Sequence, residues 1–316
     1  MQLDPMIDGL VQALRAAPAP NVPEDRAMAE EGADMVFGQL GQPGPEVGAV
    51  EDVQVETDDG AIRVRLYRPA GPGPHPCYVF LFGGAFWHGS VDMAANDAAC
   101  RERCAGAGVV VAAVDYRLAP EHRFPRALED AYAAVVWLAD HAGDLGLDAA
   151  RIVIGGASAG GNIAGGLALV LRDRGGPPVA GQLLEVPVLD LTLSQPSVAE
   201  QCALLGLDVE PLRGIAELYL PDEQAVRHPY ASPLLADDLT GLPPALILTA
   251  EHDPLRDDGE SYARRLGEAG VPVVCVRYIG QIHNSPGLTA IVPAARVWRD
   301  HVIGALTRLH AQQPWL

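Results

Sequence analysis

The sequence predicts an α/β fold built around a mostly parallel β-sheet, and three observations support it. Short apolar segments alternate with stretches of helical pattern, and these segments lie at 78–82, 109–114, 152–155, 183–186, 245–249 and 273–276. One of them runs into a small-residue turn that opens a helix, G-A-S-A-G at 156–160. Hydrophobic residues make up 49% of the 316 residues, enough for a sizeable core in one large or two small domains. Strands that alternate with helices are typical of a sheet whose faces helices cover.

The N-terminal part of the chain has a different pattern from the rest. Residues 1–45 are predicted to form a helix, a Pro-rich turn at 17–20 and a second helix. Apolar residues recur at helical spacing in the first of them: Leu3, Ile7, Leu10 and Leu14. We therefore expect an amphipathic helix here rather than a signal peptide, which would carry a basic start.

Two further segments stand apart from the alternation of strands and helices. From residue 50 the apolar period becomes two, which predicts two strands joined by the turn D-D-G at 58–60. Residues 190–240 are predicted to be an inserted helical excursion, and 290–310 to be a closing helix.

The charge balance excludes several classes of function. The chain carries a formal charge of −19, and all 22 basic residues are Arg, so lysine Schiff bases, lysine general bases and a lysine P-loop are excluded. So acidic a surface repels nucleic acid and anionic membranes, and neutral or cationic small molecules are the expected partners. No apolar run approaches the roughly 18 residues of a membrane helix, so no membrane insertion is expected.

The five cysteines form no C-x-x-C pair. They are predicted to be free buried thiols rather than a metal or redox site. So few cysteines in a chain of this length indicate a reducing compartment, and we expect a cytoplasmic protein with no metal ion.

Ser158 lies at the centre of a G-x-S-x-G turn between an apolar strand and an Ala/Gly-rich helix. Small flanking residues suit the sharp turn that exposes a serine hydroxyl at the edge of an α/β sheet. The helix N-terminus behind it favours developing negative charge. Ser158 is therefore the candidate nucleophile, against the alternative of a structural Gly-rich turn.

A nucleophilic serine needs a base and an orienting acid, which follow it in this chain order: Ser, Asp, His. Asp253 comes shortly after the strand 245–249 and is the candidate acid, whereas Asp257 and Asp258 are expected to cap the next helix. His283 follows the strand 273–276 and is the candidate base among nine histidines.

Backbone N–H groups near Ser158 could stabilise an oxyanion without reorganisation. The segment F-G-G-A-F-W at 82–87 follows a strand, and its small residues allow close approach of the backbone to a ligand. The candidate donors are the N–H groups of Gly84, Ala85 and Ala159. The alternative is a Gly-rich turn with a packing role.

Long motifs make the chain resemble the hormone-sensitive-lipase-like carboxylesterases, also called family IV. The matching stretches are 82–90, D-Y-R-L-A-P-E-H at 115–122, 156–162, P-V-L-D at 187–190, S-P-L-L at 232–235 and 242–258. The resemblance implies an eight-stranded α/β-hydrolase domain over 46–316. It also implies a helical cap made of 1–45 and an insertion at about 190–240. It maps Ser158, Asp253 and His283 onto the family's triad, and it implies hydrolysis of short to medium acyl esters without a cofactor.

Four positions near the predicted site depart from the family pattern: Phe82, Ala157, Glu185 and Asn284. Phe82 replaces a histidine that would brace the oxyanion loop, and Ala157 replaces the usual Asp before the nucleophile. Glu185 interrupts an apolar strand, so it is expected either to bond an Arg or loop backbone, or else to stand in for the missing elbow carboxylate or contact substrate. The candidates for the substrate pocket are Phe82, Phe86, Trp87, Glu185 and Asn284. The four departures together predict a specialised substrate.

The function predicted is that of a serine hydrolase that cleaves carboxylic esters through an acyl-enzyme on Ser158. One alternative uses the same triad in a biosynthetic acyltransferase, a lactone-forming enzyme or an eliminating enzyme. A second alternative is a ligand-binding protein on a hydrolase fold. A homodimer through an edge strand or the last helix is left open.

Overall fold

Eight strands form one sheet in the order β1-β2-β4-β3-β5-β6-β7-β8. The computed structural model describes residues 3–16 and 26–311, so the turn expected at 17–20 lies outside the described residues. The strands are β1 Ala49–Thr57, β2 Gly60–Arg68, β3 His75–Leu81, β4 Val110–Val114, β5 Leu147–Ala157, β6 Gly181–Glu185, β7 Ala245–His252 and β8 Val273–Ile282. β2 runs antiparallel to β1 and β4, and all other neighbours are parallel. The prediction of a mostly parallel eight-stranded sheet is confirmed.

Helices connect the strands and cover the sheet. They are α1 Pro5–Ala16, α2 Arg26–Leu40, α3 Ala94–Ala107, α4 Arg126–Asp140, α5 Ala159–Arg174, α6 Pro196–Leu205, α7 Glu210–Tyr219, α8 Arg256–Glu268 and α9 Pro293–Thr307. α3 packs against α9, and α4 packs against α5. α6 and α7 lie in the segment between β6 and β7, where an insertion was expected. The assignment of that segment and of residues 1–45 to a cap stays a prediction.

The inner strands β3, β4, β6 and β7 are buried over almost their whole length. Each residue of β4 and β7 is buried, as is all of β3 after its first residue. This agrees with their continuous apolar runs, which are typical of strands covered on both faces. No helix in residues 3–16 and 26–311 is long and apolar enough to cross a membrane.

Two strands extend further than their apolar runs indicated. β7 continues through Glu251 and His252, whose polar side chains are buried. Glu251 accepts a hydrogen bond from the Gly280 N–H at 2.7 Å, and His252 Nδ1 lies 3.3 Å from Gln201 Oε1. Because such partners compensate burial, a strand can continue through polar residues. The candidate acid and base therefore follow directly after β7 and β8.

Glu185, the last residue of β6, is paired inside the protein. Its carboxylate accepts hydrogen bonds from Arg103 of α3 at 2.5 Å and from the Trp298 indole of α9 at 2.8 Å. Bonding to an Arg was one of the two expectations. Both carboxylate oxygens are occupied, which contradicts the expectation that Glu185 contacts substrate or replaces the elbow carboxylate.

Replacement of Arg103 should destabilise the protein strongly. Arg103→Met leaves the Glu185 charge buried without its ionic partner, so the free energy of unfolding should fall by about 3–5 kcal/mol. Urea unfolding followed by circular dichroism measures this loss. The double variant Arg103→Met/Glu185→Gln removes the charge but keeps an acceptor for Trp298, and it should recover at least half of the stability. An unchanged unfolding midpoint in Arg103→Met would contradict the pairing.

Candidate active site

Ser158 lies in a strained turn between β5 and α5. Its φ of 55° and ψ of −117° are unusual for a residue with a side chain. A Cβ at Gly156 would lie 2.2 Å from the Leu81 carbonyl oxygen, and one at Gly160 only 2.0 Å from the same atom. The two glycines are therefore required for the close approach of this turn to the end of β3. The Ser158 N–H donates to the Glu185 carbonyl at 2.9 Å, which secures the turn to β6.

Three predicted side chains meet at the carboxyl edge of the sheet. His283 Nε2 lies 2.9 Å from Ser158 Oγ, and His283 Nδ1 lies 2.8 Å from Asp253 Oδ2. Since a carboxylate only accepts hydrogen bonds, the ring proton belongs on Nδ1, and Nε2 is free to accept the serine proton. These are the distances required between a nucleophile, its base and the group that orients the base.

The electrostatics of the pair raise the pKa of His283. Burial lowers the pKa of His283, but the charge of Asp253 and its hydrogen bond raise it more, so the net pKa lies above the usual value. Asp253 is buried, and its second carboxylate oxygen accepts the Leu255 N–H at 2.8 Å. The carboxylate is thereby held in one orientation toward the ring.

The segment after β3 forms a tight turn against Ser158. Gly84 has a φ of 140°, and a Cβ there would lie 1.8 Å from the His88 carbonyl oxygen. A Cβ at the neighbouring Gly83 would come within 3.4 Å of the Ser158 Cβ. The N–H groups of Gly84 and Ala85 have no hydrogen-bond partner among the described residues. We call residues 83–86 the oxyanion turn.

A third N–H group belongs to the elbow itself. Ala159 is the first residue of α5, so its N–H has no acceptor within the helix. The helix dipole adds a partial positive charge at the same end. The three candidate donors thus lie on the two turns that flank the Ser158 hydroxyl.

The D-Y-R-L-A segment at 115–119 braces the oxyanion turn. The Tyr116 hydroxyl donates to the Phe82 carbonyl at 2.7 Å, and the Ala119 N–H donates to the Phe86 carbonyl at 2.9 Å. The rings of Phe82 and Tyr116 stack with centroids 4.3 Å apart. Phe82 is fully buried, and its place in the substrate pocket stays a prediction. Tyr116 supplies a brace for this turn, which the replacement of a histidine by Phe82 was expected to leave unbraced.

The remaining pocket candidates have different surroundings. Phe86 is buried and stacks on Tyr219 of α7, with centroids 3.8 Å apart and planes inclined by 11°. Trp87 is buried beside His88, and Asn284 is exposed directly after the candidate base. A role for Phe86, Trp87 and Asn284 in substrate binding stays a prediction.

Asp258 has a role that the sequence did not indicate. It was expected to cap α8, but it is fully buried, and its Oδ2 accepts the N–H groups of Leu189 and Asp190 at 2.7 and 2.9 Å. Burial raises the pKa of this carboxyl well above its usual range. Asp258 therefore fixes the loop after β6. Its position at the end of the family-like stretch 242–258 was the sequence signal that could have indicated such a role.

Residues 3–16 and 26–311 contain no group of three or more His, Cys, Asp or Glu side chains arranged to hold a metal ion. All five cysteines are free, four of them buried and Cys275 exposed, so the expectation of buried thiols is wrong for Cys275. The site thus combines a hydroxyl, an adjacent imidazole and a turn whose N–H groups are unpaired among the described residues, an arrangement that can carry out acyl transfer.

A family model described as alpha/beta hydrolase fold matches residues 78–286, more than half of the chain. The chain belongs to the hormone-sensitive-lipase-like carboxylesterases of this fold. Esterase LipI of Mycobacterium tuberculosis is 40% identical over 256 residues, which cover 79% of each chain. The ethyl acetate hydrolase of Pseudomonas putida is 35% identical over 290 residues, covering 90% of this chain and 89% of that protein.

A solved structure supports the same family assignment. The hyperthermophilic esterase from Pyrobaculum calidifontis is 37% identical and has a TM-score of 0.90, covering 98% of this chain and 99% of its own. The protein is accordingly a carboxylesterase-type serine hydrolase, and its substrates are small-molecule carboxylic esters.

The pH dependence of this esterase should show the raised pKa of His283. The ring must be neutral to accept a proton, so kcat/KM should rise with pH and reach half its maximum above about 6.5, the ordinary His value. Steady-state hydrolysis of one soluble ester between pH 4 and 9 measures the profile.

Asp253→Asn is the matched variant for that profile. Without the carboxylate charge only burial acts on the His283 pKa, and burial lowers it. The low-pH side of the kcat/KM profile, its acidic limb, should therefore move to lower pH. The value of kcat should fall by about 10⁴-fold, the size seen when a triad acid is replaced by its amide. An acidic limb at the same pH in both proteins would contradict the assignment of His283 and Asp253.

Proposed function

We propose that Ser158, His283 and Asp253 form a catalytic triad that cleaves carboxylic esters through an acyl-enzyme. The observation that carries the proposal is the pair of hydrogen bonds at His283, 2.9 Å to Ser158 Oγ and 2.8 Å to Asp253. His283 Nε2 takes the hydroxyl proton as Ser158 Oγ attacks the acyl carbonyl. Asp253 stabilises the imidazolium that forms and keeps the ring in its productive tautomer.

The negative charge of the tetrahedral intermediate falls on the former carbonyl oxygen. We assign its stabilisation to the N–H groups of Gly84, Ala85 and Ala159, which lie on rigid turns beside Ser158. Loss of one such donor typically costs about 2.7–4 kcal/mol in the transition state. The intermediate collapses as the alcohol leaves with the His283 proton, and water then releases the acid by the same steps in reverse.

The substrate class we propose is a neutral or cationic ester with a short to medium acyl chain. The formal charge of −19 disfavours anionic substrates at long range. A relative named ethyl acetate hydrolase supports a small acyl group. The departures at Ala157 and Asn284 from the family pattern are the reason to expect a specialised alcohol or acyl part rather than broad activity.

A p-nitrophenyl ester series from acetate to decanoate tests the proposal, with Ser158→Ala beside the wild-type protein. We expect release by the wild type that falls with acyl length, and at least about a 10³-fold loss in Ser158→Ala, because the nucleophile is gone. Intact mass spectrometry after incubation with a p-nitrophenyl phosphonate should add one phosphonyl group to the wild type and none to the variant.

Two results would overturn the assignment. Equal rates in both proteins would place the chemistry elsewhere, and a phosphonate adduct on Ser158→Ala would identify a different nucleophile. High turnover of every aryl ester in the series would contradict the specialised substrate but not the triad.

A further inference from the structure

Helix α2 contacts the segment that follows the oxyanion turn through a stripe of charged side chains. None of the 15 residues of α2 is fully buried, and its partly buried apolar side chains Phe37 and Leu40, which pack against a small apolar cluster, lie near its C-terminal end. Arg26, Glu30 and Asp34 are four residues apart and therefore lie on one face of the helix. Each of the three bonds to the main chain of residues 87–94.

The three side chains of this stripe bond to successive main-chain groups of residues 87–94. Arg26 Nε donates to the Trp87 carbonyl at 2.7 Å. Glu30 accepts the Gly89 N–H at 3.0 Å, and Asp34 accepts the Ala94 N–H, the first of α3, at 2.9 Å. Hydrogen bonds between an ionised side chain and a main-chain group are stronger than neutral ones.

Arg26 also joins the segment that braces the turn from its other side. Its Nη2 donates to the Ala119 carbonyl at 2.7 Å and to the Glu121 carboxylate at 2.6 Å. The Ala119 N–H in turn donates to the Phe86 carbonyl. A single guanidinium therefore links Trp87, which directly follows the oxyanion turn, to the 115–121 segment.

Residues held by α2 also close the oxyanion turn. The N–H groups of Trp87 and His88 both donate to the Gly84 carbonyl at 3.1 Å. Ala85 and Phe86, between them, have φ values of 51° and 64°, which cost free energy for residues with side chains. Because the turn is strained, it keeps its shape only while neighbouring groups restrain it. Arg26 restrains Trp87, the residue that directly follows the turn.

The other end of α2 contacts the loop that follows His283. The Leu40 carbonyl accepts the Ala290 N–H at 2.9 Å, and the Gln42 N–H donates to the Thr289 hydroxyl at 2.8 Å. The Phe37 ring lies against Gly287, where a Cβ would come within 2.8 Å of it. One helix thus connects the segment that follows the oxyanion turn with the loop that follows the candidate base.

We propose that α2 positions the oxyanion turn for catalysis, with Arg26 and Glu30 as its positioning residues. The proposal rests on the proposed function, since it assigns these residues to the anion-stabilising step of that reaction. Loss of either contact lets Trp87 or Gly89 shift, and the Gly84 and Ala85 N–H groups then no longer point at the oxyanion. Binding of the substrate before that step does not depend on the orientation of these N–H groups.

The experiment compares Arg26→Gln, Glu30→Ala and Glu30→Gln with Arg264→Gln, an exposed arginine of α8 that pairs with Glu268. Values of kcat and KM are measured with p-nitrophenyl acetate and corrected for active sites titrated with a phosphonate. The affinity of an alkyl trifluoromethyl ketone is measured beside them, because its serine adduct carries the oxyanion. Thermal unfolding midpoints report on the fold.

We expect Arg26→Gln and Glu30→Ala to lower kcat about 10-fold or more per titrated site, short of the roughly 10²–10³-fold cost of a lost oxyanion donor. KM should change by less than about threefold, since ground-state binding is retained. The inhibition constant of the ketone should rise by the same factor as kcat falls. Glu30→Gln keeps an acceptor for the Gly89 N–H and should recover most of the activity, and Arg264→Gln should match the wild type.

Wild-type kcat per titrated site in Arg26→Gln or in Glu30→Ala would overturn the proposal. So would a loss of kcat with unchanged ketone affinity, or a loss fully explained by a smaller number of titrated sites. Because the two variants lie at separate contacts, one that fails to fold leaves the other to decide. Failure of the proposed function would differ, since the wild type itself would then neither turn over ester nor react with the phosphonate.

Discussion

The backbone turn at Ser158 is the constraint on which the rest of the site depends. A residue with a side chain at φ 55° costs on the order of 1–3 kcal/mol, and this turn persists because β3 and β6 hold it. Gly156 and Gly160 allow the Leu81 carbonyl to approach closely, and the Glu185 carbonyl accepts the Ser158 N–H. The hydroxyl is thereby presented at the edge of the sheet, where β7 and β8 deliver their own terminal residues.

The site is formed by segments that support one another rather than by any one loop. The oxyanion turn is strained in isolation, but Tyr116 holds its start at the Phe82 carbonyl, and Ala119 holds the Phe86 carbonyl. Asp258 likewise fixes the loop after β6 through two main-chain N–H groups. Preorganised donors of this kind need no rearrangement as charge develops, which is why such rigidity favours catalysis.

The meeting of Ser158, Asp253 and His283 was predictable because apolar runs mark the strands, and parallel strands end at one edge. The length of β7 was not, since Glu251 and His252 are polar and their hydrogen-bond partners lie elsewhere in the chain. Glu185 was ambiguous for the same reason, as its partners are 82 and 113 residues away. The stacking of Phe82 on Tyr116 was not predictable either, because it is a tertiary contact.

A crystal structure of the protein with a phosphonate bound to Ser158 would show directly whether these turns bind the oxyanion, because the adduct copies the tetrahedral intermediate. We expect a bond from phosphorus to Ser158 Oγ, with one phosphoryl oxygen about 2.7–3.1 Å from the backbone nitrogens of Gly84, Ala85 and Ala159. His283 Nε2 should face the leaving-group position. A phosphoryl oxygen that contacts none of these N–H groups would rule out this oxyanion site, and phosphorus bound to another side chain would rule out Ser158 as the nucleophile.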